Sequence, residues 1–75
     1  MVIGMDITIG EKIRNLREDR NMTQTDLGKA LNMTQRKISY MEHNRYEPSI
    51  GDIREICLFF GISADYLLGL TNNLK

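Results

Sequence analysis

The stretch from Thr23 to Met41 constrains the fold more than any other part of the chain. Leu27 and Leu31 lie one helical turn apart, Asn32-Met33 interrupts the pattern, and Ile38 and Met41 resume it. Two short helices crossing near a right angle through so brief a turn demand particular residues at particular places. The first helix needs a small residue where the second crosses it. Gly28 stands there, although Gly within a helix costs about 0.5–1 kcal/mol relative to Ala. The turn needs a residue that accepts positive φ, and Asn32 is the best non-glycine choice. Leu27, Leu31, Met33, Ile38 and Met41 then supply the apolar side chains that close the corner.

The rest of the chain reads as further short helices. Ile9, Ile13 and Leu16 fall on one helical face of residues 9–20, and Asn21 closes that helix. Thr23 caps the second helix, with Asp26 placed to reach back, and Leu27, Ala30 and Leu31 form its expected buried stripe. Thr34 caps the third helix and Asn44 closes it, after which Tyr46-Glu47-Pro48-Ser49 is a turn. Ser49 caps a fourth helix whose apolar face is Ile53, Ile56, Cys57 and Phe60, ended by Gly61. Ser63 caps a last short helix through Leu68, and Gly69 ends that. No alternating strand pattern and no internal repeat is visible. The class is all-α, with residues 1–8 as an N-terminal extension, 9–69 as the folded domain and 70–75 as a tail.

Composition narrows the function classes. A chain of 75 residues buries about 60% of its unfolded surface, enough for one thin core. Its longest apolar runs fall far short of the roughly 20 residues a membrane span needs, and no signal-peptide pattern opens the sequence. A single cysteine, Cys57, and a single histidine, His43, make neither an internal disulfide nor a metal site. No nucleophile–base pair or phosphate loop points to an enzyme, and neither a cofactor nor a small-molecule ligand is expected. A cytoplasmic location is the expectation. Net charge is zero, but residues 1–46 hold eight Lys/Arg against six Asp/Glu, whereas 47–75 hold two against four. That weak bias toward a basic first part leaves nucleic-acid binding open, because phosphate attraction depends on local placement of charge.

Several blocks resemble the Xre/Cro-like helix-turn-helix family related to lambdoid phage repressors. They are Ile13-Arg14-Asn15-Leu16-Arg17, Met22 through Leu27, Ile38 through Glu42, Pro48-Ser49, and Phe60 through Leu68. The resemblance runs from Ile9 to Gly69 and implies a five-helix, lambda-repressor-like domain that binds double-stranded DNA. Gly28 stands where the family usually has Ala, and Asn32 and Asn44 where it usually has Gly. These departures bear on stability rather than on DNA contact.

Within that frame the polar residues acquire roles. Gln35, Arg36, Ser39 and Tyr40 point away from the Ile38/Met41 face and occupy the part of the third helix that enters the major groove. Gln can pair with adenine and Arg with guanine in bidentate fashion, so these four are the expected base contacts. A polar helix face left to solvent would read the same way without the surrounding motif. Gln24 opens the second helix, where free N–H groups favour a phosphate, and the resemblance implies that it holds the DNA backbone. Thr34, Lys37, His43 and Arg45 are the other expected phosphate contacts. The resemblance also implies a structural ion pair between Arg17 and Glu42. Phe59, Ala64 and Tyr66 are surplus to the inward arcs of the last helices, where related repressors form a two-fold interface, and are the expected homodimer contacts. The extension carries no Lys or Arg, so it is not expected to wrap DNA.

Three functions fit the sequence. The first is a transcriptional regulator, acting as a homodimeric repressor on a near-palindromic operator. The second is an antitoxin that represses its own operon, and the third is a helical protein-interaction module.

Overall fold

Every helix in the computed structural model, which describes residues 7–74, begins at a Ser or Thr whose hydroxyl accepts a backbone N–H of the first turn. The elements are α1 (Ile9–Asp19), α2 (Gln24–Leu31), α3 (Gln35–Glu42), α4 (Ile50–Phe60) and α5 (Ala64–Leu67). Thr8/Glu11, Thr23/Asp26 and Ser49/Asp52 form reciprocal capping boxes, while Thr34 and Ser63 cap through the hydroxyl alone. Such caps contribute about 1 kcal/mol each, a large share for helices this short. Thr8 therefore belongs to the folded unit rather than to the extension. Residues 1–6 of that extension lie outside the described residues.

The turns use the left-handed region where the sequence places Asn or Gly. Asn21, Asn32 and Asn44 have φ of 56°, 59° and 60°, and Gly61 ends α4 at 68°. No described residue lies in a strand.

Ile13, Leu27, Leu31, Ile38, Met41, Ile56, Phe60 and Leu67 form the core, one or two from each helix. Ala30, expected in the buried stripe of α2, is exposed. Gly28 takes the buried position instead, because the turn into α3 crosses directly over it: a Cβ there would lie 2.6 Å from the Met33 carbonyl oxygen. Gly10 plays the same part in α1, where a Cβ would lie 2.6 Å from the Glu42 carbonyl oxygen and collide with that of Met41. The N-terminus of α1 thus seats against the C-terminus of α3. Asn44 joins them, accepting from Gly10 N at 3.1 Å and donating to Thr8 Oγ1 at 2.9 Å.

Two cations fasten α1 and its C-cap to the last helices. Arg20 donates to the carbonyls of Phe59 and Phe60 at 3.4 and 3.2 Å and lies over both rings. It thereby satisfies the free carbonyl end of α4. Lys12 donates to the Tyr66 carbonyl at 2.8 Å and stands 4.9 Å from the Tyr66 ring centre.

Candidate nucleic-acid interface

Helices α2 and α3 share one corner, and a chain of hydrogen bonds runs through it from the interior to the surface. Arg17 holds Glu42 with two bonds, Nε to Oε2 at 2.6 Å and Nη2 to Oε1 at 3.0 Å. Its third nitrogen donates to the Met22 carbonyl at 2.8 Å, tying α1 to the entry of α2. The Glu42 side chain is 1% exposed and that of Arg17 11%, so the expected ion pair is present and buried. The hydrogen bond to Glu42 raises the Arg17 pKa above its ordinary value, against the opposing effect of burial.

The chain continues outward. Gln24 Nε2 donates to Glu42 Oε1 at 3.1 Å, and Gln35 Nε2 donates to Gln24 Oε1 at 2.6 Å. The first residue of α2 therefore orients the first residue of α3. A sequence spacing of eleven does not disclose this bond. Gln35 keeps its carbonyl oxygen and one N–H unused in these bonds, the acceptor–donor pair that matches an adenine edge.

Arg36 and Tyr40 are exposed on α3, and Ser39 is half-buried. Ser39, Tyr40, His43 and Arg45 line one shallow pocket at the end of that helix. Arg45 N donates to the Tyr40 carbonyl at 2.8 Å, which folds the following loop back beneath α3. His43 Nδ1 lies 2.8 Å from the Ser39 carbonyl. A carbonyl only accepts, so Nδ1 carries the proton in this contact and Nε2 is left for another partner. Thr34 caps α3 by accepting from Lys37 N at 3.0 Å, a role that is complete within the fold.

Lys37 stands apart from its expected companions. Its ammonium donates to Asp52 Oδ1 on α4 at 2.9 Å, and this bond raises its pKa despite opposing desolvation. The counter-charge lies fifteen residues away, and no local pattern announces the pair.

The apolar residues assigned to a two-fold interface are only partly free. Phe59, packed against the core, and Tyr66 are half-buried, with Arg20 and Lys12 lying over their rings, while Ala64 is exposed. The large apolar side chains exposed near the end of the chain are instead Leu58 (72%), Leu68 (50%), Leu70 (74%) and Leu74 (50%). Helical periodicity does not place the tail leucines, whose exposure depends on how the tail returns: Ser63 N donates to the Leu74 carbonyl at 2.7 Å. Among the described residues no three His, Cys, Asp or Glu side chains group as a metal site, and no helix is long and apolar enough to cross a membrane.

Known proteins share this fold. Residues 13–67 match the family model described as helix-turn-helix. The chain is 27% identical over 69 residues to the immunity repressor protein of Bacillus phage phi105, covering 92% of this chain and 48% of that protein. It is 29% identical over 59 residues to the ImmF control region 10 kDa protein of the same phage, covering 79% of this chain and 66% of that one. The chain thus spans about half the length of the first and two thirds of the second. A crystal structure of the P22 c2 repressor protein in complex with synthetic operator 9T superposes with a TM-score of 0.79 at 30% identity, covering 84% of this chain and 96% of that chain. The chain belongs to the helix-turn-helix family, in its non-enzymatic, Xre and lambda-repressor-like branch.

Proposed function

We propose that the chain is a transcriptional regulator that binds double-stranded DNA by sequence, acting as a homodimeric repressor in the cytoplasm. The observation that carries this reading is the chain Arg17–Glu42–Gln24–Gln35, which holds Gln35 in one orientation beside the exposed Arg36. Side chains that read bases gain selectivity when their geometry is set before contact, because less rotamer freedom is lost on binding. Gln35 would pair with adenine and Arg36 with guanine, while Ser39 and Tyr40 extend the reading face. His43 and Arg45 would meet the sugar-phosphate backbone beyond the end of α3. Gln24 would serve twice, as an anchor for Gln35 and as a phosphate partner at the start of α2.

A homodimer follows from information content. One short helix reads roughly four or five base pairs, too few to single out a site among competing sequences. Two-fold pairing doubles the site and places half-sites about 34 Å apart on one face of the duplex. Ala64, the covered rings of Phe59 and Tyr66, and the exposed leucines of the last segment are the surface proposed to meet the second copy. The operator complex of the P22 c2 repressor, whose chain this one covers almost completely, supports the DNA reading.

Selection from a random duplex library tests it. Recovery of a near-palindromic consensus, lost in Gln35→Ala, is the expected result. Recovery of unrelated sequences by the native protein would overturn the reading.

A further inference from the structure

Three elements converge on the carboxylate of Asp52. Lys37, in the first turn of α3, donates to Oδ1 at 2.9 Å. Tyr46, in the loop behind α3, donates its hydroxyl to Oδ2 at 3.2 Å, and Ser49 N donates to the same oxygen at 3.0 Å. The Lys37 ammonium also lies 5.3 Å from the Tyr46 ring centre. Asp52 is 7% exposed, and the Lys37 side chain retains 34%.

We propose that Lys37 and Tyr46 are positioning residues that fix the reading helix against α4 and so set base choice, and that Lys37 makes no phosphate contact. The inference rests on the DNA-binding reading above.

A carboxylate so deeply buried needs its counter-charge, and removing one partner of such a pair is costly because the other is left unpaired. Held by Asp52, the Lys37 ammonium meets DNA as half of a neutral pair, and leaving Asp52 for a phosphate would exchange one anion for another and strand the first. The gain is small and the loss is not. Lys37 therefore releases no counterion from DNA on binding. Its attachment acts instead on its neighbours. Arg36 precedes it in an α-helix of only eight residues, so a bond from residue 37 to α4 limits rotation of the whole reading face. Tyr46 carries the same constraint into the loop that holds Arg45. Base recognition requires placement within a fraction of an ångström, which phosphate attraction does not.

The test uses a duplex of about 30 base pairs recovered from a random library by the native protein, together with a scrambled duplex of equal composition. Affinities of Lys37→Met, Tyr46→Phe, Asp52→Asn and the Lys37→Met/Asp52→Asn double variant are measured by fluorescence anisotropy from about 50 to 200 mM salt. All are measured below the melting temperature of each variant. Lys37→Met is expected to bind the recovered duplex about tenfold more weakly and the scrambled one almost as before, with the salt slope unchanged. The double variant is expected to lose no more than the worse single one. Tyr46→Phe, which removes one hydroxyl from a half-exposed ring and leaves charge alone, is expected to lower the ratio of the two affinities about threefold. That ratio decides the matter if Lys37→Met does not fold.

Equal losses on both duplexes with a slope lower by about 0.9 would identify Lys37 as a phosphate contact and overturn the proposal. So would an unchanged affinity ratio in Tyr46→Phe. A native protein that recovers no duplex removes the DNA-binding reading itself, a failure seen before any variant is made.

Discussion

Gln35 donates its side-chain amide to Gln24 across 2.6 Å, so the residue that opens α3 is held by the residue that opens α2. Gln24 is held in turn by Glu42, whose charge is matched by Arg17. An exposed glutamine thereby inherits its orientation from a buried ion pair.

This relationship separates two substitutions. Gln35→Ala should cost about 1–3 kcal/mol on the preferred duplex and relax base choice at one position. Gln24→Ala should cost about 1 kcal/mol on every duplex and also broaden that same position, because Gln35 loses its anchor. Affinities for single-base variants of the selected site provide the check. A Gln24→Ala variant whose base preference matched the native protein would show that the hydrogen bond has no part in recognition.

The ion pair behind them should behave as a buried unit. Glu42→Gln and Arg17→Met each leave a charge or donor without its partner and should each destabilise the fold by about 3–5 kcal/mol. Replacing both by apolar residues should restore part of that loss. Urea unfolding of the two single variants and the double one gives the coupling, and simple additivity would contradict the pairing.

Much of this fold was legible in the sequence, and the reason is local. Caps at Thr23, Thr34 and Ser49, the left-handed Asn32 and the helical spacing of Leu27, Leu31, Ile38 and Met41 are all encoded within a few residues of where they act. Long-range polar pairing was not legible. Lys37, a cation beside the outward face of α3, reads as a phosphate contact, and only packing brings Asp52 under it. Phe59 and Tyr66 read as dimer contacts surplus to the inward arcs, because periodicity cannot see the core that Phe59 packs against or Arg20 and Lys12 lying over the two rings. Asn44 looked like a substitute for glycine, yet its side chain bridges the loop to α1.

Gly28 reverses an expectation drawn from helix propensity. Gly→Ala in a helix ordinarily gains about 0.5–1 kcal/mol. Here the added methyl would meet the Met33 carbonyl oxygen at 2.6 Å, a backbone atom that α3 holds in place. Gly28→Ala should therefore destabilise the domain by about 1–3 kcal/mol, as overpacking does. A raised urea midpoint in that variant would mean that the turn can move aside.

Acid should weaken the tie between α3 and α4. Burial pushes the Asp52 carboxyl up, but the Lys37 hydrogen bond, the Ser49 bonds and the Lys37 charge more than offset it, and the net shift is downward. A depressed folded value contributes stability that is present above the unfolded value of about 3.9 and is lost as pH falls through the folded one. Lys37 shifts upward, so its contribution is present below its unfolded value of about 10.4 and is lost as pH rises through the folded one. Lys37→Met should flatten both flanks of the stability profile. Urea midpoints from about pH 5 down to pH 2 report the acid flank, and a decline as steep as in the native protein would contradict the assignment.

The salt dependence of binding to a library-selected duplex, measured beside a scrambled duplex, tests the central claim most directly. Sequence-specific recognition predicts affinity that falls steeply with salt, by about 0.9 in log–log slope for each phosphate neutralised, and a preference of about a thousandfold or more for the selected site. A flat salt dependence, or equal affinity for the two duplexes, would contradict it.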